Sequence, residues 1–138
     1  MSRRTCTSAL ALLVFLPVLT AKASPGASVI LHIDASTVAA LEALRKEPKF
    51  LNLPGAPAVE ERRRLEPLIN SLIDRLVAGI QANPSDTWVF GQMTPTVEAF
   101  YLEDTEAREP CVDYLARIFK ILGIKSDRGA FSRFMISI

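Results

Sequence analysis

The longest helical pattern in this chain extends from about residue 58 to residue 82, and it constrains the fold more than any other feature. Its apolar residues recur every three or four positions, which places them along one face of a helix. They are Leu65, Leu68, Ile69, Leu72, Ile73, Leu76, Val77 and Ile80. A face this wide must be covered on more than one side, as in the centre of a helical bundle. Pro67 predicts a kink there or a helix start near Glu66, because proline lacks the backbone N–H that a helix interior requires.

Two further helices have clear start or stop signals. The first is predicted to begin at Asp34 or Ser36, both good N-cap residues, and to stop at Pro48. The other is predicted to extend from about Thr105 to Leu122. Gly123 follows it and is well suited to the left-handed conformation in which many helices end.

The remaining helical patterns are shorter or interrupted. A third helix is predicted to start at Ser85 or Asp86, and Gly91 and Pro95 leave open whether it is one helix or two. The side chains predicted to face inward from it are Trp88, Val89, Met93, Val97 and Phe100. A last short helix starting at Ser126 and Asp127 is predicted to carry Phe131, Phe134 and Met135. Because no alternating strand pattern is present, the sequence predicts an all-α fold, a compact bundle of about five helices.

The first 23 residues have the features of a secretory signal peptide. Arg3 and Arg4 precede an apolar run over residues 9–20, and the small-x-small pattern of residues 21–23 predicts cleavage before Ser24. The run is shorter than the roughly 20 residues that span a bilayer, which argues against a membrane anchor. The sequence therefore predicts a periplasmic or secreted protein.

Removal of residues 1–23 would leave 115 residues, enough for one domain with its own core. We interpret residues 24–33 as an N-terminal tether and residues 34–138 as a single helical domain. The signal segment takes three basic residues with it, so 13 Lys and Arg remain against 15 Asp and Glu, a net charge of about −2. This balance argues against nucleic-acid binding, which needs a basic excess on one face. No second apolar run is long enough to span a membrane.

Three phrases of the sequence are similar to those of a known family. They are LEALRKEPKFL (41–51), INSLIDRLVAGIQANPS (69–85) and DYLARIFKILGIKSDRGAFSRF (113–134). They resemble a family of small bacterial, often exported, helical domains of unknown function. The resemblance would cover most of residues 38–135. It implies a compact all-helical fold and no particular activity, and it supplies no catalytic residues.

Most metal and catalytic chemistries are excluded by the residue content. His32 is the only histidine and Cys111 the only cysteine after the signal segment, so a structural zinc site, which needs four such ligands, cannot form. We expect no cofactor. Cys111 is predicted to be a buried, inert thiol, although an intermolecular disulfide or a reactive thiol stays open. A pair of Cys111 with His32 would be the minimum for thiol catalysis, but a buried thiol and an incidental histidine are the favoured interpretation. We lean towards a protein that is not an enzyme.

Two alternative functions use other residues. A small hydrolase of cell-wall glycans would need two carboxylates at a set separation across a cleft, and Glu98 and Glu103 could supply them. Capping and a solvated helix face are the favoured explanation of this acidic region. A carrier of an apolar small molecule could use the broad apolar face of residues 65–80, which a packed core explains as well.

The favoured hypothesis is an interaction module that binds a protein partner in the cell envelope. A sharper form is an inhibitor or immunity-type protein that blocks an exported enzyme. Aromatic residues gather where Gly91 and Pro95 interrupt the third helix, and aromatics beside irregular backbone can form a docking surface. The predicted binding residues are Trp88, Phe90, Phe100, Tyr101 and, from the neighbouring loop, Phe50.

Overall fold

The computed structural model describes residues 26–51 and 58–138. These residues form four α-helices and one 3₁₀ helix: α1 (Ala35–Lys46), α2 (Val59–Gly79), α3 (Asp86–Tyr101), α4 (Thr105–Leu122) and the 3₁₀ helix (Ser132–Phe134). The predicted all-α bundle is thus confirmed, with four α-helices where about five were expected. The predicted signal peptide, residues 1–23, lies outside the described residues. None of the described helices is both long enough and apolar enough to cross a bilayer.

Side-chain caps set the helix starts. Asp34 accepts a hydrogen bond from the Thr37 N–H at 2.7 Å, and Ser85 accepts one from the Trp88 N–H at 3.3 Å. Such caps satisfy N–H groups that have no partner within the helix. The helix α4 has the predicted bounds and ends at Gly123, whose φ of 71° is the left-handed conformation expected there. Helix α3 is a single helix in spite of its internal glycine and proline.

Helix α2 lies at the centre of the bundle and contacts α1, α3 and α4. Its predicted apolar face is fully buried at Leu65, Ile69, Leu72, Ile73, Leu76 and Ile80. The helix begins at Val59 and continues through Pro67, so the predicted alternative start near Glu66 is wrong. The Pro67 ring lies on an exposed part of the helix.

The segment before α1 packs against the start of α3. The Leu31 N–H donates to the Pro84 carbonyl at 2.8 Å, and the Asp86 N–H donates to the Val29 carbonyl at 3.0 Å. These bonds form an isolated antiparallel bridge between Ile30 and Ser85. Residues 28–31 of the predicted tether are therefore held against the helical body.

The C-terminal segment differs from the prediction. In place of a helix from Ser126, it forms turns that lead into the 3₁₀ helix. Phe131 is buried as predicted, but Met135 adopts the left-handed conformation with φ 56° and its side chain is 83 % exposed. A turn at this position aims Met135 away from the core, whereas a continued helix would have turned it inward.

Candidate functional site

Two of the predicted binding residues belong to the core. The Phe50 ring lies between Phe100, at a centroid distance of 6.1 Å, and Tyr114, at 5.3 Å. Its backbone N–H also donates to the Tyr114 hydroxyl at 3.0 Å. Phe50 and Phe100 are both buried. Because both side chains are buried, a partner could not contact them in this fold.

Trp88 and Phe90 are half-buried and lie in different surroundings. The Trp88 indole packs against the backbone of Gly79, at the end of α2, where a side chain would collide with it. Phe90 packs against Phe119 and Phe131, at centroid distances of 5.7 and 6.0 Å. Both aromatics therefore join α3 to its neighbours, and most of their area serves packing.

Tyr101 is the most exposed of the five predicted binding residues. It lies at the end of α3, is 40 % exposed and contacts Phe134 edge-on at a centroid distance of 5.9 Å. Leu102 follows it and is 84 % exposed, while Met135 follows Phe134. We call these four residues (Tyr101, Leu102, Phe134 and Met135) the Tyr101–Met135 patch. The structure thus brings together the end of α3 and the C-terminal turn.

Charged side chains border the Tyr101–Met135 patch. The Arg133 guanidinium lies over the Phe134 ring, 4.4 Å from its centroid, and pairs with Glu98 at 3.0 Å. Glu103 follows Leu102 in the chain, and the guanidinium of Arg64 donates to both of its carboxylate oxygens. An apolar centre with a polar border is the usual composition of a protein-binding surface.

The sequence indicated that Leu102, which is not among the predicted binding residues, would be exposed. The inward stripe of α3 (Val89, Met93, Val97 and Phe100) excludes Leu102, which falls between that stripe and the Asp104 cap of α4. An apolar residue off the stripe is expected to be exposed. The sequence did not indicate that Met135 would be exposed. Its exposure depends on a turn, whereas the sequence pattern predicts a helix at this position.

The two carboxylates considered for hydrolysis are both engaged in ion pairs. The hydrogen bond from Arg64 lowers the pKa of Glu103 below its usual value, against a smaller effect of burial in the other direction. A general acid needs the opposite shift, towards a raised pKa. Glu98 is paired with Arg133. This geometry gives the hydrolase hypothesis no support.

The other groups considered for chemistry lie apart. Cys111 is buried, as predicted, and burial raises the pKa of its thiol to about 12. His32 is exposed, so the two do not form an accessible pair. Among the residues that the structure describes, no three His, Cys, Asp or Glu side chains lie close enough together to hold a metal ion.

A buried lysine completes the end of α1. The Lys49 ammonium donates to the carbonyls of Leu44, Arg45 and Glu47, at 2.9, 3.3 and 2.8 Å. Carbonyls at the end of a helix lack partners within it, so Lys49 satisfies them. Its side chain is fully buried, and this burial lowers the pKa of Lys49. Because its donors are used within the fold, we assign Lys49 a structural role.

The chain belongs to the family described as a domain of unknown function (DUF4844), whose model matches residues 32–138. The match includes all four α-helices and the 3₁₀ helix. No curated protein and no solved structure matches the chain. A function must therefore be argued from the surface of the domain.

Proposed function

We propose that this member of the DUF4844 family is an exported, non-enzymatic domain that binds a protein partner in the cell envelope through the Tyr101–Met135 patch. Export is supported by the charged start, apolar run and cleavage pattern of residues 1–23. An exported bacterial enzyme, which the domain would inhibit, is the sharper form of the proposal.

The single observation that carries the proposal is the exposure of two large apolar side chains, Leu102 and Met135, whose chain neighbours contact each other. Leu102 and Met135 are 84 % and 83 % exposed, and the contact between Tyr101 and Phe134 brings their segments together. Isolated exposed apolar residues are common on protein surfaces, but exposed apolar residues on two segments that meet beside charged side chains favour a binding site.

The residue types in the patch also suit a protein partner. Tyrosine supplies a large rigid contact area with a polar end, and it is enriched among residues that dominate binding energy. Methionine is flexible and adapts to irregular apolar surfaces. The left-handed backbone at Met135, with φ 56°, is uncommon for a residue with a side chain, and it holds this side chain in solvent.

The proposal is tested by affinity capture from a cell-envelope extract, using protein produced from the full 138-residue chain. The bait is compared with a variant carrying Leu102→Asp and Met135→Asp, and with Val59→Asp as a control. Val59 is an exposed apolar residue at the first position of α2, where an acidic residue suits the helix N-terminus.

The expected result is a specific protein captured by the wild type and by Val59→Asp, and lost from the double variant. With the purified partner, titration calorimetry should show a loss of affinity of at least about 30-fold, as for a binding hot spot. A partner that binds the double variant equally well, or the absence of any specific partner, would overturn the proposal.

A further inference from the structure

Three side chains in the described part of the chain contain sulfur, and only one of them is exposed to solvent. Met93 and Cys111 are fully buried, whereas Met135 is 83 % exposed. Hydrogen peroxide oxidises a methionine sulfur that it can reach, and it oxidises cysteine mainly as the thiolate. Because burial raises the pKa of the Cys111 thiol, its thiolate is scarce as well as covered. In the folded protein the reactive sulfur is therefore that of Met135.

The backbone of the C-terminal turn determines the exposure of Met135. Its N–H donates to the Ser132 carbonyl at 3.0 Å, and its φ of 56° is uncommon for a residue with a side chain. On either side of it, Phe134 packs against the core and Ile136 is buried. These contacts hold the chain before and after Met135, so the fold itself directs the thioether to solvent.

We propose that Met135 is an oxidation site that regulates the Tyr101–Met135 patch: hydrogen peroxide converts it to methionine sulfoxide, and the oxidised patch loses its protein partner. In this reaction a sulfur lone pair attacks one peroxide oxygen, the S–O bond forms, the O–O bond breaks and water leaves. The sulfur is oxidised by two electrons and the peroxide is reduced. Methionine sulfoxide reductases, which take electrons from thiols, reverse the change.

The sulfoxide alters the patch and leaves the core as it is. A polar S=O group replaces a flexible apolar thioether, and a partner that covers this group must remove its water. Because the Met135 side chain lies outside the core, the free domain keeps its packing. Oxidation of Met93, which is fully buried in α3, would instead disrupt that packing. The inference rests on the proposed function, since the partner is what distinguishes the two forms of Met135.

The oxidation site is tested first, without a partner. Protein produced from the full chain is treated with hydrogen peroxide, desalted and digested with trypsin. Met135 then lies in the peptide 134–138 and Met93 in the peptide 76–108, so mass spectrometry follows each one separately. Met135 should be oxidised at least about tenfold faster than Met93 in the folded protein, and the two rates should become similar in denaturant. Similar rates in the folded protein would overturn the proposal.

The effect on binding is tested by affinity capture from an untreated cell-envelope extract, with the peroxide-treated and desalted protein as bait. The treated wild type should capture at least about tenfold less partner than the untreated wild type, and treatment with a methionine sulfoxide reductase should restore capture. Met135→Leu is compared only with itself, and peroxide should not change the amount that it captures. Met93→Leu, a substitution that conserves volume, should respond to peroxide as the wild type does.

The possible failures are distinguishable. A partner captured equally by the oxidised and the untreated wild type would overturn the inference and leave the proposed function standing. Capture that peroxide also abolishes in Met135→Leu would place the effect at another residue and overturn the inference. The absence of any specific partner for the untreated protein would overturn the proposed function, and this inference with it. Circular dichroism and the Tm verify that each protein is folded, and if Met93→Leu is not, Met135→Leu decides the matter.

Discussion

At the scale of single residues, the contact between Gly79 and Trp88 leaves no space for a side chain. A Cβ added at Gly79 would lie 2.5 Å from the Trp88 ring. We therefore predict that Gly79→Ala displaces the indole and lowers the free energy of unfolding by about 1 to 3 kcal/mol. Trp88 is the only tryptophan, so its emission spectrum reports this displacement directly.

Gly91 provides the matched control, because it is also helical and an added Cβ would have no neighbour within 4 Å. Gly91→Ala should stabilise the protein by about 0.5 to 1 kcal/mol, since alanine loses less backbone entropy in a helix. Denaturant unfolding measures both variants. Equal effects of the two substitutions would show that the packing of Trp88 on Gly79 is not as described.

Lys49 gives a second prediction at this scale. Lys49→Met keeps the length of the side chain but leaves the carbonyls at the end of α1 without their donor. We expect a loss of about 1 to 3 kcal/mol in the free energy of unfolding at neutral pH. Lys46→Met is the control, because Lys46 is an exposed lysine at the end of α1.

The pH dependence of Lys49 has a definite sign. Burial lowers its pKa in the folded state below the value of about 10.4 in the unfolded chain. Between the folded and unfolded pKa values, the unfolded state holds a proton that the folded state lacks, so the stability contributed by Lys49 rises with pH. The stability difference between the wild type and Lys49→Met should therefore grow with pH across this window. A constant difference would contradict it.

At the scale of structural elements, Asp86 joins three segments of the chain. Its carboxylate accepts the Val29 N–H at 2.9 Å and pairs with Arg128 at 2.6 Å, so the N-terminal segment, α3 and the C-terminal turn meet there. Burial raises the pKa of Asp86, but hydrogen bonds from the Val29 and Thr87 backbone and the charge of Arg128 outweigh it. The net result is a lowered pKa.

This junction predicts a sensitivity to acid. Because the folded pKa is lowered, the stability from Asp86 is complete above the unfolded value of about 3.9 and is lost as the pH falls through the folded value. Asp86→Asn should cost about 1 to 3 kcal/mol at pH 7, and this difference should shrink below pH 4. Thermal unfolding between pH 2 and 7 measures it, with the exposed Asp113→Asn as a control. A difference that is unchanged at pH 2 would contradict the assignment.

The elements also show which parts of the fold follow from local sequence. The bounds of α4 were predicted, and the caps Asp34 and Ser85 were each one of two predicted candidates, because these features depend on neighbouring residues only. The C-terminal turns were not, because their geometry depends on contacts with distant segments, such as Arg128 with Asp86. The sequence likewise shows Lys49 only as a loop residue after Pro48. Its burial depends on the end of α1, where carbonyls accept its hydrogen bonds.

At the scale of the whole molecule, the candidate site was predictable only in part. The sequence placed a binding surface among the aromatics of α3, and Tyr101 does lie in the Tyr101–Met135 patch. Phe50 and Phe100 instead meet in the core, because the chain after α1 folds back over α4 to reach Tyr114. Residue type indicated which side chains could bind, but only the packing of the helices decides which remain exposed.

We propose that the Tyr101–Met135 patch contacts a different protein in the cell envelope. The most direct test replaces Leu102 with a photoreactive amino acid, irradiates intact cells and identifies the products by mass spectrometry, with the same substitution at Val59 as the control. We expect one defined heterologous protein to be cross-linked from position 102 and to be absent from position 59. An adduct only with a second copy of the chain, or the same products from both positions, would contradict it.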